Sequence, residues 1–157
     1  MRAISKEDLP IGKFPMGNTA FDTTIVYGDN CSIMMAERPA GYHSRPHVHD
    51  CEQINLVMEG ELIIFIDEQG VLMKKGDYNR IPANAMHWSW NKSDKPIVLL
   101  EVHSPGLQSD PKCAEYAYPL FDEGEDKNLL GNPINIFPED SEEVEALIRI
   151  AEAPFTD

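Results

Sequence analysis

Between Phe21 and His103 glycine and proline cut the chain into short runs rich in Ile, Val, Leu, Phe and Met, a spacing that predicts strands joined by turns. The predicted strands are Phe21 to Tyr27, Ser32 to Glu37, Gln53 to Met58, Glu61 to Asp67, Val71 to Lys74, Asp77 to Ile81, His87 to Asn91 and Ile97 to His103. The pairs Glu59-Gly60, Gln69-Gly70 and Lys75-Gly76 mark tight turns, because glycine accepts the positive φ such turns demand. Segments of this kind close a sandwich or a barrel, so the expected fold is all-β and antiparallel. Several runs are apolar on both faces, which fits strands covered inside by a core and outside by a second sheet or a partner subunit; a homodimer is expected.

From Ser104-Pro105-Gly106 onward the texture changes to Pro, Asp, Glu, Asn and Tyr without periodicity. The extension over 105–157 is expected to wrap the outside. Within it Asp140 can cap a helix, with Glu143 three residues on and Val144, Leu147, Ile148 and Ala151 at i, i+3, i+4, i+7 before Pro154. A short C-terminal helix over about 141–152 is therefore predicted.

A chain of 157 residues, 42% hydrophobic and 25% charged, fits one globular domain over 1–157. Its 27 Asp and Glu against 13 Lys and Arg give a formal charge of −14, which repels phosphate backbones, so nucleic acid is not an expected partner. The longest apolar run, Leu62 to Ile66, is far too short to cross a bilayer as a helix. The first residues lack a basic start followed by an apolar stretch, and the expected location is cytoplasmic. Cys31, Cys51 and Cys113 are an odd, widely spaced set, read as reduced thiols rather than a disulfide framework or a zinc finger.

The chemistry concentrates between Gly41 and Asn91. Five residues separate Gly41 from His47, one separates His47 from His49, and Gln53 and Gly60 follow. Two histidines at i and i+2 on an extended chain face the same way and can reach one metal ion. A third is available as His87, inside Gly76-x5-Pro82-x-Asn84-x2-His87-x3-Asn91, where glycine and proline fix the turns. The competing reading is three histidines of core or surface with no metal.

These two blocks resemble the paired motifs of the cupin superfamily, G-x5-H-x-H-x3,4-E-x6-G and G-x5-P-x-G-x2-H-x3-N. Gly41, His47, His49, Gly60, Gly76, Pro82, His87 and Asn91 fall in register. The resemblance implies a small antiparallel jelly-roll barrel, with the metal site inside and the motif core at 41–91. Two positions depart from the pattern. Asn84 replaces a glycine, a mild change because Asn tolerates a left-handed conformation. Gln53 replaces the glutamate, and although an amide oxygen binds divalent ions, the site loses one negative charge. Taking Glu52 as the ligand is the alternative; adjacent strand residues face opposite sides and the slip would misplace Gly60, which favours Gln53.

Around this ligand set of His47, His49, Gln53 and His87, the strand parity carries Asn55 and Ser89 inward with Gln53 and His87, while Trp88 and Trp90 point away. His43 and Arg45 continue the i, i+2 series backward toward the mouth, interrupted by Pro46; His43 is a candidate pocket residue and Arg45 a candidate grip on a substrate carboxylate. His103, beside Glu101 in parity, is a candidate proton-transfer group. Cys51 reads as a small buried hydrophobe.

Three neutral imidazoles and an amide leave the charge of a divalent ion unneutralised, so a small anion is the expected partner. The expectation is one divalent metal per chain, Fe(II) first, with Mn, Zn, Ni or Co as alternatives. The enzyme expected is metal-dependent and acts on a small oxygen-rich carboxylate, enolate or phenol, with dioxygenase chemistry first, as the resemblance implies. A non-redox isomerase or lyase on a sugar acid or organic acid is the second reading. A non-catalytic small-molecule-binding protein is the third.

Overall fold

Strand formation follows the alternation of buried and outward positions. In the strand Ile97–Ser104 the residues Ile97, Leu99, Glu101 and His103 are buried, and those between them face outward. The computed structural model describes residues 3–9, 11–14, 17–67, 69–106, 118–119, 142, 145–146 and 149. Its strands are β1 (Gly12–Phe14), β2 (Phe21–Tyr27), β3 (Ser32–Arg38), β4 (His47–Val48), β5 (Glu52–Glu59), β6 (Glu61–Ile66), β7 (Gln69–Lys74), β8 (Tyr78–Ile81), β9 (His87–Trp90), β10 (Ile97–Ser104) and β11 (Tyr118–Pro119). All eight runs read from the sequence are strands, with ends shifted by at most two residues. The short β1, β4 and β11 carry too few residues to show a period of two.

Two antiparallel sheets result, one of order β1-β2-β3-β10-β5-β8 and one of order β11-β4-β9-β6-β7. The tight turns at Gly60 (φ 79°) and Gly76 (φ 94°) lie where glycine was expected to turn the chain. A Cβ on Gly60 would stand 2.5 Å from Ile97 Cγ2, so that turn excludes larger residues for space as well as for φ. Asn84 takes φ 62°, the left-handed conformation its motif position requires. Between the sheets lies a core of Val57, Leu62, Ile64, Met73, Ile81, Ile97 and Leu99, drawn from both. On the far face of the five-stranded sheet Phe65 stacks on Trp88 with centroids 3.9 Å apart, beside Ile63, Leu72 and Trp90. Both tryptophans thus face away from the core.

Two expectations need correction. The strands do not close a barrel: among the described residues they form two separate sheets, with no ladder joining β7 or β8 to the opposite sheet. Pro82, which directly follows the edge strand β8, has no N–H with which to extend that strand's ladder. As a continuous element the C-terminal helix is not found either: among the described residues there is no helix of seven or more residues, although Glu142, Glu145, Ala146 and Arg149 are helical. Most of 141–152, like Cys113 and most of the extension, lies outside the described residues. Among the described residues no helix is long and apolar enough to cross a membrane.

Candidate metal centre

The pairing of β4 with β9 sets His47 directly opposite His87, which brings their rings to a centroid distance of 4.2 Å. His49 lies just beyond the end of β4 and its ring stands 4.7 Å from that of His87 and 5.8 Å from that of His47. One ring nitrogen from each of the three lies within 4.8 Å of the others. The backbone decides which nitrogen it is. His47 Nδ1 lies 2.7 Å from the Arg45 carbonyl, His49 Nδ1 2.8 Å from the Cys51 carbonyl and His87 Nδ1 3.0 Å from the Ala85 carbonyl. A carbonyl only accepts, so each Nδ1 carries the proton and donates, and each Nε2 keeps its lone pair. Metal-binding histidines are held in this same way.

Burial keeps His47 and His87 neutral. Desolvation first, and the neighbouring imidazoles after it, lower the pKa of His47 to about 4 and hold that of His87 well below the usual histidine range. Neutral imidazole is the ligating form. His87 Nε2 is buried and has no hydrogen-bond partner, an expensive condition unless a cation occupies the lone pair. The donor set fits a divalent transition ion.

Gln53 faces this cluster and Glu52 does not. Gln53 is buried with Oε1 at 3.0 Å from His49 Nε2, whereas Glu52 pairs with Arg80 on the outer face. The Gln53 Nε2 group donates to Asn55 Oδ1 at 2.7 Å and to Glu101 Oε2 at 3.1 Å. Glu101 accepts a second hydrogen bond from Arg38 Nη2, and both side chains are buried. The Arg38 guanidinium lies 3.8 Å from the Phe21 ring centroid and 5.0 Å from that of Tyr42, whose hydroxyl accepts from Nη1 at 3.1 Å. His103 completes the wall: its ring centroid is 5.5 Å from that of His49, its Nε2 3.9 Å from Glu101 Oε2, and burial lowers its pKa to about 3.

His47, His87, Arg38, Gln53, Asn55 and Glu101, with Ser44 and Ser89, line a cavity of about 30 Å³, whereas His49 and His103 are not among its lining residues. Asn55 and Ser89 stand where strand parity puts them. His43 and Arg45 are not among the lining residues, and their neighbours Tyr42 and Ser44 are the buried ones. The inward parity shifts by one residue between Ser44 and His47, across Pro46. Cys51 is buried with its thiol 3.3 Å from His49 Nδ1, and desolvation pushes its pKa up to about 11, so it stays protonated at neutral pH. Arg38, Tyr42 and Ser44 are site residues that sequence reasoning passed over. The signal for Arg38 was present, since it continues the inward series Met34, Ala36 as a lone charge at the end of an apolar stripe.

The dioxygenase and oxidoreductase expectation receives no confirmation, because three imidazoles and an amide oxygen serve redox and Lewis-acid ions alike. The comparisons bear on family and fold. No curated protein matches the chain. An RmlC-like cupin from Shewanella frigidimarina is 18% identical, with 65% of this chain and 88% of that one covered and a TM-score of 0.57. A predicted oxalate decarboxylase from Thermotoga maritima is 15% identical over 66% of this chain and 99% of its own, with a TM-score of 0.61. A sugar phosphate isomerase of the cupin superfamily from Silicibacter pomeroyi is 17% identical over 66% and 75%, with a TM-score of 0.56. At these identities the likeness is one of fold. The cupin domain family matches residues 34–103, the stretch that holds all of the candidate ligands, and that stretch is a cupin domain.

Proposed function

We propose that the protein is a metal-dependent enzyme that binds one divalent ion through His47, His49, His87 and Gln53 and moves a proton on a small, oxygen-rich organic anion. The observation that carries this reading is the tethering of all three Nδ1 groups to backbone carbonyls in a cluster whose ligand atoms lie within 4.8 Å of one another, which leaves Nε2 of each ring to ligate, that of His87 being buried without a partner. The bound ion would supply Lewis-acid polarisation of a ligand oxygen. The cavity is small and its wall mixes Ser44, Ser89 and Asn55 with Ile64, Ile81 and Leu99, so it takes only a substrate of few carbon atoms. His103 is the assigned proton acceptor, its Nε2 3.9 Å from Glu101 Oε2; burial lowers its pKa to about 3, so taking a proton there depends on the Glu101 carboxylate stabilising the imidazolium. That buried histidine and carboxylate pair supports isomerase or lyase chemistry.

The direct test is hydrogen exchange at the α-carbon of small hydroxy acids and keto acids in deuterated water, with Zn²⁺- or Mn²⁺-loaded protein. Exchange that is lost in His49→Ala and slowed in His103→Asn supports the proposal. Tight binding without exchange would instead make this a binding protein, and oxygen uptake with the iron-loaded protein would return it to redox chemistry. The same reading pairs the chain with a second copy. Supporting this, the outer face of the six-stranded sheet carries Ile33, Val102 and Ile54 in one row and Met35, Leu100, Leu56 and Tyr78 in the next, with Ile33, Ile54 and Tyr78 exposed. Sedimentation giving a monomer at micromolar concentration would remove the dimer.

A further inference from the structure

We infer that Glu101 is a positioning residue for Gln53: held by Arg38, it fixes which end of the Gln53 amide meets the cation, and it requires residue 53 to be an amide. This rests on the proposed cation site. The hydrogen-bond polarity of the wall has a fixed starting point, because a guanidinium has donors only and a carboxylate acceptors only. Arg38 is lodged against the Phe21 and Tyr42 rings and donates to Glu101 Oε1. The other oxygen, Oε2, must receive a hydrogen, and Gln53 Nε2 supplies it at 3.1 Å. The second hydrogen of that Nε2 goes to Asn55 Oδ1 at 2.7 Å, and Asn55 Nδ2 in turn donates to Asn79 Oδ1 at 2.9 Å.

Both donors of Gln53 are thereby engaged, and Oε1 is left facing His49 Nε2 at 3.0 Å. His49 donates from Nδ1 to the Cys51 carbonyl, so in the neutral, ligating form of the ring Nε2 bears the lone pair. Two acceptors therefore face each other in a buried site, an arrangement that repels unless a cation lies against both. Adjacent ligands of one transition ion stand about 3 Å apart, which this pair already does. Turning the amide over would set Gln53 Oε1 against the oxygens of Glu101 and Asn55. Replacing it by glutamate would set a second carboxylate against Glu101 in the same buried wall. The departure from the motif at position 53 thus has a cause: the negative charge stands behind the ligand, at Glu101, and not on it.

The experiment is a double-mutant cycle of wild type, Gln53→Glu, Glu101→Gln and the two combined, read by Zn²⁺ titration calorimetry and by the Tm of the metal-free protein. In Glu101→Gln, Arg38 holds the new amide oxygen, its NH₂ turns toward Gln53, and the Gln53 amide rotates to present NH₂ to the site. Zn²⁺ affinity is expected to fall about tenfold or more although no ligand has changed. Gln53→Glu is expected to lower the metal-free Tm by several degrees. In the combined variant the new amide at position 101 donates to the new carboxylate at position 53, and both Zn²⁺ affinity and Tm are expected to recover to wild type or better. Losses that simply add in the combined variant would overturn the inference. Should Glu101→Gln fail to fold, a Gln53→Glu protein as stable as wild type overturns it, and a destabilised one rescued by the second change supports it. A wild type that binds no Zn²⁺ contradicts the metal reading alone, and the Tm cycle still decides the coupling.

Discussion

Acidifying the metal-free protein from pH 7 to pH 5 is expected to destabilise it strongly, and the histidine cluster sets the size of the effect. His103 titrates near 6.5 when unfolded and at about 3 when folded, because burial penalises its charged form. Between those values the unfolded chain binds the extra proton, so stability is full above the unfolded pKa and is lost as pH falls below it. Each pH unit in that window is worth about 1.4 kcal/mol, which gives about 2 kcal/mol for His103 between pH 6.5 and pH 5. His47, with its pKa at about 4, acts in the same direction, and its partial exposure at the mouth reduces its share to about 1 kcal/mol. His87 adds with the same sign. Urea denaturation of chelator-treated protein at pH 7 and pH 5 measures the effect: a drop of about 3 kcal/mol or more is expected. Stability that is unchanged or higher at pH 5 would refute the neutral, buried state of these rings.

Two further predictions concern the wall and the register. Arg38→Leu leaves Glu101 as a buried carboxylate without its cation and should cost about 3 to 5 kcal/mol, read as a large fall in the denaturation midpoint; a loss below about 1 kcal/mol would show that Glu101 is not charged there. Glu52→Ala removes only an outer-face pair with Arg80 and should leave Zn²⁺ affinity unchanged, while Gln53→Ala weakens it; the opposite ranking in calorimetry would reverse the ligand assignment.

Much of this geometry is legible in the chain because strand parity is a local rule. From His87 it gives the inward Ser89 and the outward Trp88 and Trp90, and from Gln53 it gives Asn55. The rule breaks at Pro46, where the inward set changes from Tyr42 and Ser44 to His47 and His49, so extrapolating backward from the ligands reaches His43 and Arg45 instead. The contact of Arg38 with Glu101 spans 63 residues and depends on β3 and β10 pairing side by side, which no local pattern reveals. Closure into a barrel is likewise a matter of which edges meet, and strand lengths and spacing carry no information about that.

The most direct measurement is Zn²⁺ titration of the chelator-treated protein, wild type beside His87→Ala, followed by calorimetry and by metal content after gel filtration. His87 is chosen because its Nε2 is the buried atom without a partner. One tightly bound ion per chain in the wild type, and its loss in a folded His87→Ala protein, is the expected result. No binding by the wild type, or an equal stoichiometry and affinity in both proteins, would contradict the metal centre.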